Sequence, residues 1–265
     1  MERVRAHGVE VAYERAGEGA PLVLAHSAAS DSREWRPQLD GLAGEFTVVA
    51  WDEPGAGRSS DLPPDFGLAD HASCLAAVIE GVGLVPAHVA GLSWGGMVAL
   101  ELYRLRPELV ASLILADTYA GWKGSLPDDE RRRRIDGLRM ALETPSEDFD
   151  PTFPGLFAAG PPARYASLLE QIAADVRPDS LRALLRMADT DQRDLLAQIA
   201  VPTLLIWGEL DARSPLRVAR QFQDAIPDTT LAVIPGAGHM SNLEQPERFN
   251  HAVQEFCRAH PPPSR

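Results

Sequence analysis

Short apolar runs punctuate the chain at 22–26 (LVLAH), 46–51 (FTVVAW), 88–93 (HVAGLS), 112–117 (SLILAD), 203–207 (TLLIW) and 231–234 (LAVI). Runs this short and this continuously apolar fit strands buried on both faces. Between them, apolar positions recur at helical spacing over about 68–82 and 95–105, and a last helical stretch covers about 246–259. This order predicts an α/β fold, with a mostly parallel central sheet flanked by helices. Residues 2–7 and 9–15 read differently, as a hairpin turning at Gly8.

The strand pattern stops between about 120 and 197. Pro127, Pro145, Pro151, Pro154, Pro161, Pro162 and Pro178 interrupt helical stretches there, while Leu168, Leu169, Ile172, Leu181, Leu184 and Leu185 keep a helical period. We expect a helical lid insertion over 120–197, set into a core made of 1–119 and 198–265. No internal repeat occurs.

Composition narrows the class without fixing the activity. Apolar and charged shares of 45% and 24% are those of a globular protein. A net charge of -13 repels nucleic acid and anionic membranes, so neither is an expected partner. Neither a signal-peptide core nor a membrane-length apolar run is present, and Cys74 and Cys257 stand in helical stretches without metal-ligand neighbours. These features predict a cytoplasmic protein with no disulfide framework, metal or cofactor. Lys123 is the sole lysine, which disfavours Schiff-base chemistry.

The chemistry centres on Gly91-Leu92-Ser93-Trp94-Gly95. Such a pattern arises by chance about 0.1 times in a chain of this length, so its setting has to decide. It joins a strand to a helix, the setting of a strained nucleophile elbow. A serine needs a base, and among the seven histidines only His239 follows a late strand in an irregular loop, PGAGH. His71, His88 and His251 read as surface or structural residues. An imidazole needs a carboxylate in turn. Asp211 ends the strand and turn 204–211 and ranks first, ahead of Asp117 and then Glu209. The oxyanion donors expected are the backbone N–H groups of Trp94 and Ala28, with Ser27 as the alternative to Ala28.

Taken together, these motifs resemble the α/β-hydrolase superfamily. His26-Ser27 is similar to its His-Gly pair, 52–59 (DEPGAGRS) to its D-x-x-G-x-G-x-S turn, and 207–211 (WGELD) and 236–239 (GAGH) to its acid and histidine segments. The resemblance covers nearly the whole chain and is nearest to small esterases and lactonases of the 3-oxoadipate enol-lactonase type. One departure stands at Ser27, where the family usually has glycine. The resemblance implies a cofactor-free serine hydrolase acting on an ester or lactone through an acyl-enzyme. Its rivals are a carbon–carbon bond hydrolase, a haloperoxidase or perhydrolase, and a non-catalytic ligand receptor. Dehalogenases and epoxide hydrolases are disfavoured because they call for Asp in place of Ser93.

Other signals carry less. The stretch 55–60 (GAGRSS) lacks the third glycine of a dinucleotide loop and the lysine of a P-loop, so it reads as a structural turn. Arg131 to Arg134 follow Asp128, Asp129 and Glu130, a pattern that predicts a solvated helix face with local ion pairs. For a partly apolar small-molecule substrate, the pocket candidates are His26, Trp122, Phe153, Phe157, Tyr165, Met187 and Met240.

Overall fold

The computed structural model describes residues 1–83, 85–143 and 153–263. Its strands are β1 (Glu2–Ala6), β2 (Val9–Ala16), β3 (Ala20–Ala25), β4 (Phe46–Trp51), β5 (Ala87–Leu92), β6 (Val110–Ala116), β7 (Thr203–Gly208) and β8 (Thr229–Ile234). The helices are α1 (Arg36–Leu42), α2 (Leu68–Val82), α3 (Trp94–Leu105), α4 (Trp122–Ser125), α5 (Asp128–Glu143), α6 (Ala166–Ala174), α7 (Pro178–Arg186), α8 (Arg193–Leu196), α9 (Leu216–Ala225), α10 (Ser241–Glu244) and α11 (Pro246–Ala259).

The strands form one eight-stranded sheet in the order β1-β2-β4-β3-β5-β6-β7-β8. The hairpin turns at Gly8, whose φ of 79° suits a residue without Cβ. β2 runs antiparallel to β1 and β4, and every pairing from β4 through β8 is parallel. Side-chain alternation then builds two cores. Val23, Val49, Val89, Leu115 and Leu205 face α2, α3 and α9. Leu24, Val48, Ala90, Ile114 and Ile206 face α1 and α11 on the other side. Helices α1 and α9 lie where the sequence pattern assigned none.

Because β3 lies between β4 and β5, the chain leaves the sheet in opposite directions on either side of it. The loops after β3 and β5 therefore border a crevice at the carboxyl edge of the sheet, where ligands of open α/β sheets bind. Between β6 and β7, α4 to α8 follow one another and no strand occurs among the described residues. Residues 144–152, including Pro145 and Pro151, lie outside the described residues. Leu138, Leu181, Ala183 and Met187 of this segment join the core of α2 and α3. The Arg177 guanidinium donates to the carbonyls of Gly57 and Ser59 at 2.7 and 3.0 Å, and Ser180 Oγ donates to that of Gly55 at 2.7 Å. The glycine turn after β4 is thus a docking point for these helices.

Two histidines expected at the surface or in structural roles lie in the interior. His71 and His88 are both buried, because their helix and strand turn them inward. No helix among the described residues is long and apolar enough to cross a membrane.

Candidate active site

Ser93 stands between β5 and α3 with φ 52° and ψ -112°, a conformation that L-residues adopt only under strain. Its glycine neighbours make the turn sterically possible. A Cβ on Gly91 would lie 2.3 Å from the Gly95 carbonyl oxygen, and one on Gly95 would lie 2.1 Å from that of Ala25. The serine is thereby held above the carboxyl end of β5, at the N-terminus of α3.

Two further loops converge on it. His239, between β8 and α10, places Nε2 2.9 Å from Ser93 Oγ. Its Nδ1 lies 2.9 Å from Asp211 Oδ2, in the turn after β7. Asp211 Oδ1 accepts the backbone N–H groups of Arg213 and Ser214, each at 2.8 Å, which fixes the carboxylate plane. Burial lowers the His239 pKa below its ordinary value. Asp211 opposes that shift, while the charges of Arg213 and Arg134 reinforce it.

The two competing acids have other partners. Asp117, at the end of β6, accepts from Gly208 N–H at 2.7 Å and from Ser241 Oγ at 2.5 Å. Burial first, then the neighbouring Asp211 charge, raises its carboxyl well above the carboxylate range. Glu209 turns outward to the Gly236 N–H at 3.0 Å.

Across the site, Ser27 commits both of its donors to Glu34. Its backbone N–H reaches Oε1 at 3.1 Å and its hydroxyl reaches Oε2 at 2.5 Å. Glu34 is wholly buried, and burial raises its carboxyl pKa. The Ser27 N–H, the alternative to that of Ala28, is therefore already engaged. The next N–H, that of Ala28, has no protein acceptor among the described residues, and Ala28 borders the same cavity as Ser93. Trp94 opens α3, so no preceding turn of that helix takes its N–H. Its indole Nε1–H donates to the buried Glu53 at 2.7 Å, and His71 Nδ1 lies 3.2 Å from the same carboxylate oxygen.

A cavity of about 620 Å³ opens over Ser93 and His239. Trp122 and Phe153 line it as expected. Five other pocket candidates do not. His26 is locked below the loop, donating from Nδ1 to the Ser27 carbonyl at 2.8 Å and accepting Glu53 N–H at Nε2 at 3.1 Å. Met187 packs into the core of α2 and α3. Met240, Phe157 and Tyr165 pack with the opposite core, on the side of α1 and α11.

The sequence reading missed Met97, Tyr119, Leu138, Arg134 and Arg213, which do line the cavity. The expected solvated face of α5 needs correction at Arg134. Arg131 and Arg133 do form local ion pairs with Asp128 and Asp129. Arg134 instead turns inward, its side chain 12% exposed, and lies over the rings of Tyr119 and Trp122 at 5.3 and 5.7 Å. A signal was present, since Glu130, Arg134, Leu138 and Ala141 share one helical face whose centre is apolar. Among the described residues, no group of three or more His, Cys, Asp or Glu side chains could hold a metal ion.

Comparison with known proteins identifies the fold family. The profile of the alpha/beta hydrolase fold family matches residues 20–246. The protein provisionally named carbamate hydrolase RutD in Azorhizobium caulinodans is 31% identical, over 95% of this chain and 97% of its own. A thermophilic esterase from Thermogutta terrifontis superposes with a TM-score of 0.83 at 29% identity, covering 98% of this chain and 100% of that one. The enol-lactonase of Burkholderia xenovorans LB400 shares the fold at 23% identity, with a TM-score of 0.79 over 97% of this chain and all of that one. The chain belongs to the α/β-hydrolase fold family and is a hydrolytic enzyme of it.

Proposed function

We propose that this hydrolase cleaves a carboxylic ester or lactone through an acyl-enzyme on Ser93. Ser93 Oγ attacks the carbonyl carbon while His239 Nε2 takes its proton, and Asp211 holds the Nδ1–H tautomer and stabilises the imidazolium. The backbone N–H groups of Trp94 and Ala28 receive the oxyanion, a contribution of about 3 kcal/mol per donor in comparable sites. Protonated His239 then gives its proton to the leaving oxygen. The imidazole, neutral again, activates water to release the acid. Residues 120–197 act as the lid that shapes the cavity and screens it from solvent.

The observation that carries this reading is the unbroken relay from Ser93 Oγ through His239 to Asp211, with 2.9 Å at each step, on the floor of a 620 Å³ cavity. The likeness to an esterase at 29% identity supports ester chemistry in particular. A fluorophosphonate probe tests it. The native protein should be labelled at Ser93 alone, and Ser93→Ala should be neither labelled nor active on short-chain esters. Full activity in Ser93→Ala would overturn the proposal.

A further inference from the structure

The cavity over Ser93 is mainly apolar at its lid, yet three arginines line it: Arg133, which is mostly exposed and pairs with Asp129, and the more buried Arg134 and Arg213. Their situations differ. Arg134 is paired, donating to Glu130 Oε1 at 2.6 Å and to Tyr119 Oη at 2.7 Å. The other oxygen of Glu130 is shared with Arg217 at 3.1 Å. One glutamate thus serves two guanidinium groups, those of Arg134 and Arg217. Asp211, the other acid whose charge reaches Arg213, already serves His239 and two backbone N–H groups.

Arg213 is the cation left over. It makes no ion pair with any described residue, and of its five N–H donors one is used, Nη1–H to the Pro154 carbonyl at 3.2 Å. Its guanidinium stacks 5.5 Å from the centre of the Phe153 ring, which fixes its plane. The group is half-buried, and burial followed by the Arg134 charge lowers its pKa. A structural role in tying the loop together would need only the one carbonyl contact. It does not explain a charge kept beside another cation on the wall of a reaction cavity, where desolvation is unfavourable unless a counter-charge arrives.

We infer that Arg213 receives an ionised carboxylate of the substrate, so that the preferred ester or lactone is an organic anion. The inference rests on the ester-hydrolase reading of Ser93. A planar guanidinium with free donors matches a carboxylate in bidentate fashion. The placement is suitable, because Arg213 follows the relay acid by two residues and its charge is felt at His239. The cavity is also large enough to hold a small dicarboxylate derivative beside the serine. The molecule as a whole, with net charge -13, repels anions at long range. A preference for an anionic substrate must therefore arise locally.

The test compares para-nitrophenyl half-esters of glutarate, adipate and pimelate with the para-nitrophenyl esters of the corresponding monoamides, which match them in size without the charge. At the best chain length, kcat/KM should favour the half-ester by about tenfold or more, mostly through KM. Arg213→Gln should bring that ratio close to one, and Arg213→Lys should retain part of it. A ratio near one at every chain length in the native enzyme, or an unchanged ratio in Arg213→Gln, overturns the inference. The amide series separates the two readings. Turnover of the amide esters without preference for the acids removes this inference alone. No turnover of either series together with an unlabelled Ser93 removes the ester-hydrolase reading as well.

Discussion

At the scale of single residues, two features of the site set how the chemistry depends on conditions. The first is the depressed His239 pKa, caused by burial and by the charges of Arg213 and Arg134. In the proposed mechanism His239 is the base and works only as neutral imidazole, so activity is expected to be absent below its folded pKa and present above it. The pH profile of kcat/KM on a neutral ester should rise through a midpoint below 6.5 and stay level from there to pH 8. A midpoint above 6.5 would mean that Asp211 outweighs burial. The second feature is Ser27. Its hydroxyl and N–H both bind Glu34, which ties down the loop that presents Ala28 N–H. Ser27→Gly keeps the N–H bond and loses the hydroxyl, so the buried carboxyl is left with less support and the loop with more freedom. We expect kcat to fall about tenfold with KM little changed, since the donor is needed in the transition state. A drop in KM-dependent terms alone would count against this role. Under the proposed mechanism the residue that departs from the family pattern acts as a positioning residue, its side chain turned to Glu34.

At the scale of elements, legibility in the sequence followed the physics of burial. Strands β3 to β7 were readable because both faces of the sheet are covered there, which leaves continuous apolar runs such as FTVVAW; β8, a partly buried edge strand, showed only the short run LAVI. The elbow was readable because a backbone at φ 52° with carbonyls 2.1 to 2.3 Å from any added Cβ leaves only glycine at 91 and 95. The inner face of α5 was hidden for the opposite reason. Arg134 belongs to a run of four arginines, and its contacts with Tyr119 and Trp122 separate it from the exposed Arg132 and Arg133. Glu34 was equally hidden, since an acid in the polar stretch DSREW gives no sign that the fold will bury it. Arg213 carried no sequence signal of its own, two residues beyond Asp211 in a turn. The glycine contrast also makes a prediction about stability. Gly137 lies within α5 with nothing within 4 Å of an added Cβ, whereas Gly95 faces the backbone of β3. Gly137→Ala should stabilise the protein by about 0.5–1 kcal/mol by restricting the unfolded chain, a rise in Tm of about 2 °C. Gly95→Ala should lower Tm by several degrees and abolish activity, because the elbow has to move to admit the methyl group. Thermal denaturation of the two variants beside the native protein measures both effects.

At the scale of the whole molecule, one buried group far from the relay governs how stability responds to acid. His88 starts β5, fully buried between neighbouring strands, with Nδ1 2.7 Å from Ser112 Oγ and the Phe46 ring edge-on at 6.5 Å. Its Nε2 has no partner among the described residues, so a second proton would find no acceptor. Burial, assisted by the nearby His260, pushes its pKa down from 6.5 to about 4. The unfolded chain therefore takes up this proton below pH 6.5 while the folded chain refuses it. Stability from this group is complete above 6.5 and is lost as pH falls toward 4, by about 3 kcal/mol in total. Other buried groups act in the opposite sense. Asp117 and Glu34 have raised pKa values, so their contribution is present at low pH and declines as pH rises through those values. A pH scan of the native protein alone mixes these trends. Comparison with His88→Leu separates them, because every other group is common to both proteins. Loss of the Ser112 hydrogen bond destabilises the variant by an amount that does not change with pH in this range. Urea unfolding at pH 7 and pH 4.5 should show the native protein losing about 2–3 kcal/mol relative to the variant on acidification. An unchanged difference between the two pH values would mean that His88 takes its proton in the folded state, and that β5 accommodates a charge in the centre of the sheet.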